Sequence, residues 1–300
     1  MPDPPRPYGT PAAFRRALTD KLRSIAAPSG LWPLADLQRQ FAYDRLLSRL
    51  YVLDRSWVVK GATALLARGI AVRHTVDVDL YRATAAQQAE RDLRAAAALD
   101  LGDWFNFELG RVAPIADAPA GFRIPVIAYV GTVAWARFHV DLVAEGIRMT
   151  GTPDDVPAMA AVHLRGVEQP GYQAYPLVDH LADKTCAILQ QYGPERRPST
   201  RFKDLVDLVG MTPHTRVQAR RLRTALDSEA DRRGLALPAQ FDVPDRLLWE
   251  RGYAAEARRA VGLEARTLDN ALATVRPFLD PILDGTASGA WDPAQGRWSR

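Results

Sequence analysis

In the stretch RHTVDVDLY, residues 73–81, Asp77 and Asp79 stand one residue apart among Val76, Val78 and Leu80. Alternating apolar and polar residues mark a half-buried strand, and residues i and i+2 of a strand share one face about 7 Å apart. The stretch AWARFHVDLV, residues 134–143, repeats the pattern, with Phe138, Val140 and Leu142 on one face and Arg137, His139 and Asp141 on the other. A carboxylate on an adjacent strand about 4.8 Å away completes a three-acid cluster. Three such acids repel one another unless cations neutralise them. Oxygen ligands suit Mg²⁺, or Mn²⁺ in its place, held by one or two carboxylates and by substrate phosphates. Two such ions about 4 Å apart clamp the attacking and leaving oxygens of a phosphoryl transfer. The plainer reading, solvated acids on an edge strand, suits any single Asp. It is less apt for two Asp set between valines.

A second element stands upstream. VVKGATALLARG, residues 58–69, reads as strand, glycine, helix. Gly61 lets backbone N–H groups approach a phosphate, and the start of the following helix favours anions. Lys60 precedes the turn, and Thr63 can cap the helix or touch a phosphate. The chain has 39 basic residues, of which only Lys21, Lys60, Lys184 and Lys203 are lysines. A lysine in so arginine-rich a background suits a compact point contact. His180 and Lys184 are four apart and share a helix face, with Leu181, Ala187 and Ile188 to pack the lysine stem. In RFKDLVDLV, Asp204 and Asp207 are three apart. Asp204 can orient Lys184 by an ion pair, and Asp207 suits a partner for Arg or Lys. Arg216, Arg220 and Arg223 fall on one face of a helix and form a basic stripe suited to a polyanion.

These stretches taken in order, KGATAL, RHTVDVDL, LADKTCAIL and RFKDLVDLV, resemble the AbiEii/MenT-like nucleotidyltransferase toxins, a branch of the DNA polymerase β-type nucleotidyltransferase superfamily. The resemblance covers roughly residues 40–210. It implies a metal-dependent transferase, the toxin of a toxin–antitoxin system. Such an enzyme joins nucleotides from a nucleoside triphosphate, CTP or another pyrimidine triphosphate, to the 3′ end of tRNA. On this reading Asp77 and Asp79 hold the metal with Asp141 as the third carboxylate. Lys60, Gly61, Thr63, Thr75 and Lys184 contact the nucleotide, Asp204 supports catalysis, and a cognate antitoxin is a partner. Ala62 stands where relatives often carry Gly or Ser, which leaves the phosphates to backbone N–H groups, Thr63 and Lys60.

The elements that must position these residues are expected as follows. Helices are predicted at 11–28, 33–52, after Gly61 and at 85–99. Strands are predicted around the two acid stretches and at 105–109, with FRIPVIAYV and VAWARFHVDLVAE joined as a hairpin at Gly131-Thr132. Residues 150–176 read as a loop, followed by helices at 176–191, 201–210, 216–233, 245–260 and 267–283 and a frayed tail from Gly285. The fold class is α+β: a nucleotidyltransferase-type mixed sheet with flanking helices over 1–150, then an all-helical domain over 151–300. That second domain is expected to contribute Lys184 and Asp204 to the cleft.

A chain of 300 residues with 47% apolar and 25% charged residues fits a globular protein. The longest apolar run, Ile124 to Ala136, is too short to span a bilayer. The leading MPDPPRPYGTPAAF lacks the apolar stretch of a signal peptide. Cys186 alone makes no intrachain disulfide, so a cytoplasmic location with no membrane partner is expected. Two rivals stand: a metal-dependent nuclease, with no need of the Gly61 turn, and a non-catalytic nucleotide- or antitoxin-binding module.

Overall fold

The computed structural model describes residues 8–28, 30–115, 118–159 and 162–299. Helix α1, Pro11–Ser24, starts where the Thr10 hydroxyl accepts from the Ala13 N–H, with Pro11 in the first turn. Phe14, Leu18 and Leu22, at four-residue spacing, are its buried stripe. Helix α2, Leu34–Leu53, carries Arg and Asp among its apolar residues, yet from Gln40 to Tyr51 every residue is buried. Its charges survive burial because they are paired. Arg45 and Arg49 both bond Asp103, at 2.7 Å each, and Arg49 also donates to the carbonyls of Leu99 and Phe105. Burial would raise the Asp103 pKa, but hydrogen bonds and charge from Arg49 and Arg45 outweigh it and hold the carboxyl below its usual range.

The sheet is built from β1 (Val58–Val59), β2 (Asp77–Arg82), β3 (Phe105–Leu109), β4 (Ala113–Ile115), β5 (Ala118–Val130), β6 (Val133–Ala144), β7 (Asp154–Val156) and β8 (Tyr172–Ala174). The strand order is β3-β5-β6-β2-β1-β8-β7, with β4 on β5. Strands β5 and β6 form the expected hairpin, turning at Gly131 with φ +60. β2 runs parallel to β6 and antiparallel to β1, so the sheet is mixed. Helix α3, Gly61–Ala67, joins β1 to the segment before β2, and α4, Ala86–Ala97, follows β2. Residues 150–176, expected as loop, contain β7 and β8. These three-residue strands, DDV and YQA, are too short to show an alternation.

By its internal contacts the chain forms two units that are not consecutive halves. The first comprises Met1–Gly69, His74–Ile147 and Asp155–Ala174; the second comprises Ile70–Arg73, Arg148–Asp154 and Tyr175–Arg300. The second is helical: α5 (Leu177–Leu189), α6 (Phe202–Met211), α7 (Ala219–Arg233), α8 (Arg246–Arg259) and α9 (Leu268–Leu283). The tail is not frayed. Trp291–Asp292 and Arg297–Trp298 pair as a small hairpin, the Trp298 ring stacks on Phe278 at 5.4 Å, and Trp291 is buried against Phe278 at 5.0 Å. Both indoles donate to carbonyls, of Thr212 and Phe278 respectively for Trp291 and Trp298. Among the described residues no helix is long and apolar enough to cross a membrane.

Candidate active site

In the first unit, the register of β2 on β6 places Asp77 beside His139 and Asp79 beside Asp141. The alternate residues Val78, Leu80, Val140 and Leu142 are buried in the core on the other face. Apolar packing on one face therefore fixes where the acids point on the other. The structure brings Asp77, Asp79 and Asp141 onto one face, as the sequence implies.

It also supplies a cation that the sequence reading missed. Arg123 on β5 lies in register with Asp141, and its Nε and Nη2 donate to both Asp141 oxygens at 2.7 and 2.6 Å. The same Nη2 is 3.8 Å from Asp77 Oδ2. The hydrogen bonds that Arg123 donates to Asp141, and the charges of Asp141, Asp77 and Asp79, raise the Arg123 pKa and keep it charged. Among the described residues, no three His, Cys, Asp or Glu side chains are gathered as a metal-holding group. The Asp141 carboxylate, expected as the third metal ligand, is here the partner of a guanidinium. Asp77 Oδ1 has no hydrogen-bond partner, with His139 Nδ1 3.5 Å away.

Gly61 opens α3 with φ +54, a left-handed conformation that glycine adopts without strain. A Cβ placed there would stand 2.0 Å from Asp79 Oδ2, so the carboxylate occupies space that only glycine leaves. Lys60 caps α3, and its N–H donates to the Asp79 carbonyl at 2.8 Å. Thr63 is fully buried. Its hydroxyl donates to the Asp77 carbonyl and accepts from the Asp79 N–H, so both bonds go to the acid strand. Thr75 accepts from the Asp77 N–H at 3.2 Å, and its own carbonyl accepts from the Tyr43 hydroxyl. Gly61→Ala is therefore expected to cost about 1–2 kcal/mol of backbone strain and to displace Asp79. Measured transfer should fall about tenfold or more in a protein that still melts cooperatively. An unchanged rate would mean that the Asp79 position is not critical.

In the second unit, Lys184 is buried on α5 and donates to Asp204 at 3.0 Å and to Asp207 at 2.7 Å, both on α6. Arg73 grips Asp207 through Nε and Nη2 at 2.8 and 2.7 Å, and Arg201 bonds Asp204 at 2.6 Å. The result is an alternating row, Arg201–Asp204–Lys184–Asp207–Arg73. Burial would lower the Lys184 pKa, but Asp204 and Asp207 outweigh it and the net shift is upward. Burial would raise Asp207, but Lys184 and Arg73 win and its pKa falls. The sequence anticipates the Lys184–Asp204 pair but not Arg73 as partner of Asp207, 134 positions away.

Asp103 and Asp207 each have a lowered folded-state pKa. The unfolded chain then takes up protons before the folded chain does. The stability they contribute is complete above the ordinary carboxylate range of about 4 and is lost as pH falls through their folded values. Melting temperature should stay level near neutrality and drop once pH passes below about 4. A melt that is flat into strong acid would contradict the pairing of these carboxylates.

The expected stripe of Arg216, Arg220 and Arg223 is not one helix face. α7 begins at Ala219, because Gln218 bridges to Ala290 and Ala219 N–H bonds the Gly289 carbonyl. Arg216 lies before the helix. Arg223 bonds Asp227 and the carbonyls of Ile282 and Leu283, whereas Arg216 and Arg220 are exposed.

A strand–glycine–helix unit that sets Gly61 against an acid-bearing strand, on a mixed sheet, is the arrangement of a nucleotidyltransferase. Over residues 45–278 the sequence matches the family described as "Nucleotidyl transferase AbiEii toxin, Type IV TA system". The chain belongs to that family; it is a nucleotidyltransferase and the toxin member of a toxin–antitoxin system. Among solved structures it is similar to MenT4, a nucleotidyltransferase toxin from Mycobacterium tuberculosis H37Rv, at 18% identity and a TM-score of 0.51, over 87% of this chain and 99% of that one. JHP933 from Helicobacter pylori matches at 13% identity and a TM-score of 0.43, over 84% of this chain and 89% of that one. The antibiotic-resistance factor ANT(2'')-Ia matches at 16% identity and a TM-score of 0.37, over 66% and 94%. No curated protein matches the chain.

Proposed function

We propose that the chain joins nucleotides from a nucleoside triphosphate, CTP or another pyrimidine triphosphate, to the 3′ end of tRNA in the cytoplasm, and that a cognate antitoxin restrains it. The observation that carries this reading is the acid row of Asp77 and Asp79, with Asp141 in register, set against the Gly61 turn. The donor set fits a divalent cation. Asp77 Oδ1 is without a hydrogen-bond partner, and the Asp79 carboxylate sits in the space beside Gly61. A guanidinium already finds the acid face attractive. Asp77 and Asp79 would hold Mg²⁺ or Mn²⁺, which when bound neutralises phosphate charge and stabilises the leaving pyrophosphate.

The chain's own groups do the rest. Lys60 and the backbone at Gly61 bind phosphate oxygens, and Lys184 contributes positive charge with Asp204 orienting its ammonium. Thr63 and Thr75 act through the backbone of the acid strand, which they hold in place. Asp141 accepts the proton of the acceptor 3′-hydroxyl at a carboxylate oxygen. The acceptor 3′-oxygen so freed attacks the α-phosphorus, a new phosphodiester forms, the bond from the α-phosphorus to the α,β-bridging oxygen breaks, and pyrophosphate leaves. Arg216 and Arg220 supply contacts to the RNA backbone.

Incubation with total RNA, Mg²⁺ and each labelled triphosphate in turn tests the proposal. Label is expected in the tRNA band with a pyrimidine triphosphate. Label in another RNA class, or with a purine triphosphate alone, would replace the acceptor or the donor.

A further inference from the structure

Residues Arg123, Asp141 and Asp79 form one row across β5, β6 and β2. The Arg123 fork meets both Asp141 oxygens, and its Nη2 also lies between Asp141 Oδ2 at 2.6 Å and Asp77 Oδ2 at 3.8 Å. A bidentate guanidinium–carboxylate pair has fixed geometry and uses both carboxylate oxygens. The Asp141 side chain is 15% exposed and the Arg123 side chain 45%, so the pair is held by its two-pronged geometry on a carboxylate that is largely covered. We propose that Arg123 is the resident counter-ion of the acid row and competes with the divalent cation for Asp141.

The proposal rests on the reading of Asp77 and Asp79 as metal ligands. Its physics is simple. A guanidinium beside Asp77 offsets the repulsion of three carboxylates before substrate arrives. The same positive charge repels a divalent cation, and it occupies the oxygens that cation would need. Asp141 becomes available when another anion draws Arg123 away. The incoming triphosphate is the anion that the reaction brings. Metal and nucleotide should therefore each strengthen the binding of the other, as linkage requires. Arg123 is on this account a positioning residue, which acts on the metal through Asp141.

The test is a titration of the full chain with Mn²⁺ without nucleotide, at fixed pH and ionic strength, followed by electron paramagnetic resonance or calorimetry. Arg123→Gln is expected to bind Mn²⁺ on the order of tenfold more tightly than the parent, because a repelling charge is removed. Arg123→Lys keeps the charge and loses the fork, so it should fall between the two. Asp141→Asn in the parent should cost clearly less Mn²⁺ affinity than Asp79→Asn, because each removes one negative charge but Arg123 already holds the Asp141 carboxylate. This variant decides the matter if Arg123→Gln fails to fold. Were Asp141 a resident ligand, its replacement and that of Asp79 would instead cost about the same. Equal Mn²⁺ affinity in parent and Arg123→Gln, with binding abolished by Asp79→Asn, overturns the role of Arg123 alone. No binding in either protein overturns this proposal and the metal assignment together.

Discussion

Asp77→Ala or Asp79→Ala is expected to abolish nucleotidyl transfer, by on the order of a thousandfold or more, and to leave the melting temperature unchanged or raised. The two halves of this expectation have different causes. Activity is lost because each Asp is a proposed ligand of the cation that neutralises the triphosphate. Stability is kept because each acid faces away from the core and sits in a row of like charges. Removing one carboxylate relieves repulsion that Arg123 only partly offsets. A structural acid would behave in the opposite way, melting early while the remaining folded protein kept its rate. Parent-rate transfer by either variant with Mg²⁺ present would remove that residue from the site.

Lys184→Ala carries the second large effect, and it concerns the fold first. The ammonium is buried between Asp204 and Asp207. Deleting it leaves two buried carboxylates in the row, Asp204 with Arg201 and Asp207 with Arg73. Breaking such a buried pair typically costs about 3–5 kcal/mol. Lys184→Arg keeps the charge, but a planar fork does not fit the place of a three-donor ammonium, so it too should lose stability and activity. Thermal melts therefore need to accompany the activity measurement. Activity lost from a variant that melts like the parent would support a direct contact between the ammonium and phosphate. Full activity and an unchanged melt in both variants would make Lys184 a surface lysine, contrary to its burial.

What was legible in the sequence follows from distance along the chain. Period-two alternation places the acids of β2 and β6, the Gly131-Thr132 turn marks the hairpin, and periodicity finds the helices to within a few residues. Lys184 and Asp204 are 20 apart, and both sit on helices whose faces can be read. Arg123 was missed for a specific reason. Counting back from the turn, Val130 faces Val133 and Tyr129 faces Ala134, which would set Arg123 opposite Val140. A bulge between Ala128 and Tyr129 shifts the pairing by one residue and brings Asp141 opposite instead. No residue type signals that bulge. The pairing of Arg73 with Asp207 spans 134 positions and needs the tertiary fold. The sequence puts Arg216 on a helix because its periodicity continues that of α7. The tail captures residues 217–219 and so starts the helix later, an override that local pattern does not contain.

The central claim is transfer of a nucleotide with release of pyrophosphate, and the position of the label tests it most directly. With RNA, Mg²⁺ and a triphosphate labelled at the α-phosphate, label should enter RNA that has grown longer. The same triphosphate labelled at the γ-phosphate should yield labelled pyrophosphate in equal amount, with both products absent when a chelator is present or Asp79 is replaced by alanine. Shortened RNA without incorporated label would identify a nuclease, and binding of the triphosphate without either product would identify a non-catalytic module; each result would contradict the account.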